Sequence, residues 1–342
     1  MKRQAVFIGV LLGSAGVHAQ DVSTFFDAKQ LAQQSMQMAQ AASNGGSNSI
    51  NVLGAAQQKA GEYASQQGQE WLRNLFSYQR GTTEISGAGY QNGLPVWNVL
   101  LVRPLTESED YVHTTFIQGS AYRQGDRTTG NLGFGYRQLA AEKKLLLGAN
   151  IFYDWEFPVG NQRSSLGLEA RSSIAELNAN YYAGTTGWIN TANAMQEKVL
   201  NGYDAELAVA LPYMPAVQAR AKTFRWMGID GFNNTFGNSY SLTGAVWQGL
   251  NIEVGHTTMA SAYQPNVLLG ASPMMGGNYF KISWTFGGDL SRNQKQFEFK
   301  NVAYSLESME DRRFEKVRRE NRLVKAQRSQ QTNGFNVTVS GF

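Results

Sequence analysis

From Gly81 onward the polarity of the chain alternates with a period of two. Leu132, Phe134 and Tyr136 alternate with Asn131, Gly133, Gly135 and Arg137. Leu145, Leu147, Ala149, Ile151 and Tyr153 alternate with Lys144, Gly148, Asn150 and Asp154, with Leu146 and Phe152 out of step. The pattern returns in Leu166–Ala170, Leu177–Tyr181, Tyr203–Leu211 and Phe280–Phe286. Successive side chains of a strand point to opposite faces, so each run predicts a strand with one apolar and one polar face. Two architectures give this pattern, a soluble sheet with one wet face or a barrel crossing a membrane.

Strand length and aromatic placement favour the barrel. The runs are about ten residues long, the length a tilted membrane strand needs. Tyr136, Tyr153, Trp155, Tyr181, Tyr203, Trp226 and Phe286 fall near strand ends, where an interface girdle sits. The fold class expected is all-β, a transmembrane antiparallel β-barrel of about 12 strands. Connections at Pro104–Asp110, Ala140–Glu142, Ser173–Ile174, Pro212–Pro215 and Gln248–Gly249 are short. Most of the alternate ones (Gly184–Leu200, Gly228–Asn238, Met259–Gly276) are longer. Short turns on one side and long loops on the other mark an outer-membrane barrel, and an even strand count leaves both ends on the short-turn side.

The flanks read differently. Lys2 and Arg3, the stretch Ala5–Val17 and the cleavage-like Val17-His18-Ala19 predict a signal peptide over 1–19. Residues 20–79 are polar and helical in pattern, with Trp71, Leu72, Leu75 and Phe76 on one face. The barrel is expected over 80–287. A charged tail over 288–342 reads as helical from about Glu307 to Arg328, although Met309, Phe314, Val317 and Val324 form no heptad seam.

Charge narrows the function. The tail holds eleven basic and seven acidic residues, whereas residues 20–287 hold seventeen and nineteen, so the barrel is no nucleic-acid grip. The chain has no Cys and, past the signal, only the isolated His113 and His256, so neither a metal nor another cofactor is expected. The polar faces place Arg137, Asp154, Arg163, Glu169, Arg171, Glu176, Asp204, Glu206, Glu253 and Lys281 on the pore wall. These charges either hold a resident linker or only stabilise the barrel. Glu169 and Glu176 could pass for an acid–base pair, but no nucleophile or His accompanies them, so no enzyme is expected. As a water-facing wall position, Glu169 should tolerate substitution better than the lipid-facing Leu168. Trp284 and Phe286 close the last strand like an assembly signal.

At these residues the chain resembles the β-domain of inverse autotransporters, the intimin/invasin group. The matching stretches are Asn131–Arg137, Leu147–Asp154, Leu166–Glu169, Leu177–Tyr182 and Asn201–Asp204 before Leu211-Pro212, with Trp71-Leu72 ahead and Val317–Val324 behind. The resemblance implies a twelve-stranded barrel in the Gram-negative outer membrane, built with the β-barrel assembly machinery and periplasmic chaperones. It also implies type V secretion, with a linker returning through the pore to carry adhesin domains outside. The 55 residues after Gly287 are too few for an Ig-like domain of about 100 residues. The expectation is therefore a translocator with a vestigial or separately encoded passenger. The alternative is a passive, porin-like barrel. Arg312, Arg313, Arg318, Arg319 and Arg322 are expected to pair with Glu169, Glu176, Asp204 and Glu206.

Overall fold

The computed structural model describes residues 81–91, 94–191, 195–230, 234–261, 276–286, 298–329 and 337–340. The readings made for residues 1–79, the signal peptide and the Trp71-Leu72 segment among them, lie outside the described residues. Among the described residues seven strands come first: β1 Thr82–Tyr90, β2 Val96–Glu107, β3 His113–Gln124, β4 Arg127–Ala140, β5 Leu145–Phe157, β6 Gln162–Arg171 and β7 Ala175–Gly184. After two short strands, β8 Ile189–Asn190 and β9 Met195–Val199, come β10 Gly202–Leu211, β11 Met214–Trp226, β12 Thr235–Trp247, β13 Leu250–Ser261 and β14 Gly277–Phe286. The last described strands are β15 Lys325–Ser329 and β16 Val337–Ser340. Strands β1–β7 and β10–β14 form a closed antiparallel barrel of twelve, sealed where β1 pairs with β14, Thr83 opposite Phe286 through Tyr90 opposite Tyr279. Closure leaves no edge whose backbone groups would go unpaired in hydrocarbon.

Burial is inverted relative to a soluble protein. Ile151, Leu166, Leu168 and Leu177 are 57, 54, 60 and 52% exposed in the middle of their strands, while Asp154 and Arg163 are fully buried. Only a membrane around the barrel makes such a surface stable. Five short connections share one mouth: 108–112, 141–144, 172–174, 212–213 and 248–249. The opposite mouth carries the long 185–201, 227–234 and 262–276, although 125–126 and 158–161 there are tight. Strand β2 runs through Pro104 to Glu107, beyond the start of the turn read from sequence. A register shift between Pro104 and Thr106 accommodates the residue that cannot donate to the ladder.

Two expectations are corrected. Trp226 is not in the girdle. It is 1% exposed inside the barrel, because it shares the inward phase of Arg220, Lys222 and Phe224 on β11. Its ring lies 5.2 Å from that of Tyr182, and Gly202 opposite makes the room, since a Cβ there would stand 2.2 Å from the indole. The second correction is the tail. Between Glu307 and Arg328 the only helical piece is the 3-10 turn Glu310–Arg312; a turn carries the chain on through Glu315, and the remainder forms no helix and leads into β15.

Candidate functional site

The inward side chains form a charged wall, and residues 298–329 lie along it. Near the short-turn mouth the segment is tied to three turns. Tyr213 N–H donates to Ala303 O, Ser173 Oγ to Ser305 O, and Met309 N–H to Lys143 O. The turn at Lys143 holds Ala141, Glu142 and Lys143 all at positive φ, so this contact sits on strained backbone. Lys143 Nζ also donates to Glu310 at 2.6 Å, which holds that carboxyl below its ordinary value.

Inside the barrel, wall side chains take the hydrogen-bonding places that a helix or sheet would fill. Arg137 Nη1 donates to the carbonyls of Arg313 and Glu315, and Arg171 Nη2 to that of Lys316 at 3.0 Å. Asn180 donates to Arg318 O at 3.0 Å, and Arg163 forks onto Glu320 O at 2.6 Å and Arg322 O at 2.8 Å. Val317 N–H donates to Gln118 and Glu320 N–H to the Tyr182 hydroxyl. A buried backbone needs such partners wherever it finds them, and here the wall supplies them to an extended chain.

Side chains of the segment pair in turn with wall carboxylates. Arg312 meets Glu176, Arg313 meets Glu107 at 2.7 Å, and Lys316 meets Glu84 at 2.6 Å. Arg318 lies between Glu206 at 3.0 Å and Glu253 at 3.6 Å. Arg319 meets Asp154 at 2.7 Å and stands over the Phe152 ring. Among the described residues three apolar patches interrupt the polar wall, and each receives a residue of the segment. Met309 packs with Leu139 and Leu146; Phe314 and Val317 pack with Leu100, Val102, Phe116 and Phe152; Val324 and Ala326 pack with Tyr182, Leu200, Phe224 and Trp226.

At the long-loop mouth β15 pairs with β9, and β16 and β8 complete a four-stranded sheet. Beneath it Lys325 bonds Glu156 at 2.7 Å and approaches Glu197 at 3.4 Å, and Arg127 reaches Glu197 at 2.9 Å. The segment's backbone bonds to the β3–β7 wall, and side chains such as Lys316 and Arg318 reach across to β1, β10 and β13 through a less filled part of the lumen. Cavities of about 380 and 220 Å³ remain there, and Glu84, Arg220, Glu253, Lys281, Lys316 and Arg318 line both.

The residues named from sequence thus fall into groups. Arg137, Asp154, Arg163, Arg171, Glu176, Glu206 and Glu253 touch the segment. Glu169 is held within the wall by Arg137 at 2.6 Å and Arg171 at 2.7 Å, and Asp204 accepts from Asn180 and Tyr182 at 2.8 Å each. Lys281 faces the less filled part of the lumen. Glu169 and Glu176 are each held by guanidinium groups, Arg137 and Arg171 on the first and Arg220 and Arg312 on the second. Arg319 goes to Asp154 and Arg313 to Glu107 rather than to the expected partners, and Arg322 pairs with Glu320 beside it. Sequence reasoning missed Glu84, Glu107, Glu156, Gln118, Tyr182, Arg220 and Lys222. The inward phase of β5 points to Glu156, two residues beyond Asp154. On the outside, Trp284 and Phe286 stack at 5.6 Å on the lipid face.

Comparison with known proteins agrees with this architecture. The family model described as "Inverse autotransporter, beta-domain" matches residues 28–321. Intimin of Citrobacter freundii is 29% identical over 197 residues, 56% of this chain and 20% of that protein. Invasin of Yersinia enterocolitica is 24% identical over 247 residues, 70% of this chain and 27% of that protein. The chain therefore spans a fifth to about a quarter of these relatives. A chain solved in a study of in-meso crystallization of membrane proteins superposes with a TM-score of 0.59 at 21% identity, covering 72% of this chain and 98% of that one, which shows the shared fold. A closed twelve-stranded barrel with an apolar exterior, matched by that model over most of its length, belongs to the inverse autotransporter β-domain family and to the Gram-negative outer membrane.

Proposed function

We propose that this barrel is a translocator whose cargo is the chain that follows its own last strand. The observation that carries the reading is the course of residues 298–329. They touch turns at the short-turn mouth, bond to the wall by backbone and side chain, and join a sheet with β9 at the far mouth. In an outer-membrane barrel short turns face the periplasm and long loops the exterior, so that course is outward. The lumen charges of residues 137–281 then serve to hold an extended peptide in a wet pore. The stacked Trp284 and Phe286 on the closing strand are the proposed contact for the β-barrel assembly machinery.

Planar-bilayer recording tests the reading. Deleting residues 298–342 should raise single-channel conductance several-fold, and a tag after Phe342 should be cleaved by protease on intact cells. Unchanged conductance with a protected tag would favour a passive barrel instead.

A further inference from the structure

The lipid-facing surface is not uniform around the barrel. On β5 the outward residues stay apolar or aromatic for the whole strand, from Leu145 to Phe157. Twelve residue rises make about 40 Å along a strand and about 30 Å of height at the usual tilt, enough for the apolar band of about 25 Å. On β14 the outward apolar set runs only from Phe286 to Phe280, about 20 Å along the strand and about 15 Å of height. Beyond it, toward the long-loop mouth, stands an exposed polar patch: Asn278 on β14, His256 and Thr258 on β13, Asn238 on β12, and Thr223 and Arg225 on β11.

These side chains are neighbours across the ladders. Thr223 stands opposite Asn238, Asn238 opposite Thr258, and His256 opposite Asn278, to which its Nδ1 lies within 2.8 Å. Arg225 is flanked by Tyr203 on one side and Phe236 on the other, both exposed. Among the described residues no carboxylate stands on the lipid-facing side of any barrel strand. A strand simply rising above the bilayer would carry a full apolar band below its polar end, and β14 does not. Hydroxyl, amide and guanidinium groups left unpaired at hydrocarbon depth are strongly unfavourable, which calls for a polar partner beside them.

We propose that the outer half of the β11–β14 wall binds the headgroup of a phosphorylated glycolipid of the outer leaflet. Arg225 would take a phosphate, with Tyr203 and Phe236 flanking it at the same register, and Asn238, His256, Thr258 and Asn278 would serve the sugar hydroxyls. A guanidinium suits a phosphate and the amides and hydroxyls suit sugars, which is the complementarity that selects this lipid over a zwitterionic one. The site depends on the outer-membrane location and not on what fills the lumen.

Native mass spectrometry of the full chain in nanodiscs carrying diphosphoryl lipid A tests it, with folding checked by heat-modifiable migration. The unaltered chain should retain lipid A at collision energies that strip phosphatidylethanolamine. The double variant Arg225→Ala with Asn278→Leu should lose about tenfold of that adduct, while Arg225→Lys should keep most of it. Arg123→Ala, at the outward rim of β3 on the opposite wall, should leave it unchanged. Four results would each overturn the proposal: equal retention by the double variant, equal retention of lipid A stripped of its phosphates, equal loss in Arg123→Ala, or a lipid-free dimer of the chain.

Discussion

At the scale of single residues, the family-like glycines have a mechanical reason. A Cβ on Gly135 would come within 2.2 Å of the Phe116 ring, and one on Gly133 within 2.3 Å of Phe152. Both rings belong to the patch that receives Phe314 and Val317. Gly135→Val should therefore destabilise the folded barrel by about 1–3 kcal/mol through overpacking, read from urea titration of the heat-modifiable band. Glu169 behaves differently from its sequence reading. It is 5% exposed between two buried arginines, so replacing it leaves uncompensated charge. Glu169→Gln should cost about 3–5 kcal/mol in the same titration, no less than Leu168→Arg at about 2–4 kcal/mol near the midplane. A period of two tells which face a residue is on. It does not tell whether that face meets water or another part of the chain.

Among elements, the strands were legible because alternation reports directly on a two-faced sheet. The tail was not. Its Glu, Arg and Lys content reads as helix, since propensity assumes that the backbone must satisfy itself. Here wall side chains such as Asn180 and Arg163 satisfy it instead, and past the Glu310–Arg312 turn no helix forms. The residues that broke each pattern were the informative ones. Leu146 and Phe152, out of step on β5, and Met309, Phe314 and Val317, without a heptad, are the two halves of the same apolar contacts. The link between Lys143 and Glu310 predicts an acid response. Because the folded carboxyl titrates below its ordinary value, its contribution is present at neutral pH and lost as pH falls below about 4. Protease access to residues 298–308 in the purified barrel should rise on acidification. In Glu310→Gln the increment due to this pair should be present already at pH 7.

For the whole molecule, strand parity fixes sidedness. An epitope inserted at Asn193, between β8 and β9, should be labelled on intact cells, and one at Met214 only after the outer membrane is opened. The opposite labelling would invert the direction assigned to the tail.

The fork of Arg163 carries a further consequence. Past the turn that ends at Glu315, Arg163 takes the carbonyls of residues 320 and 322. Every extended peptide offers carbonyls at that spacing, so this fork is indifferent to sequence but sensitive to parity. Sliding the thread by two residues, about 7 Å, restores the pattern, whereas sliding it by one presents the wrong edge. Passage through this pore would then be quantised in residue pairs. Two glycines inserted after Arg319 should leave the pore as closed in bilayer recordings as the parent, while a single glycine should leave it leaky.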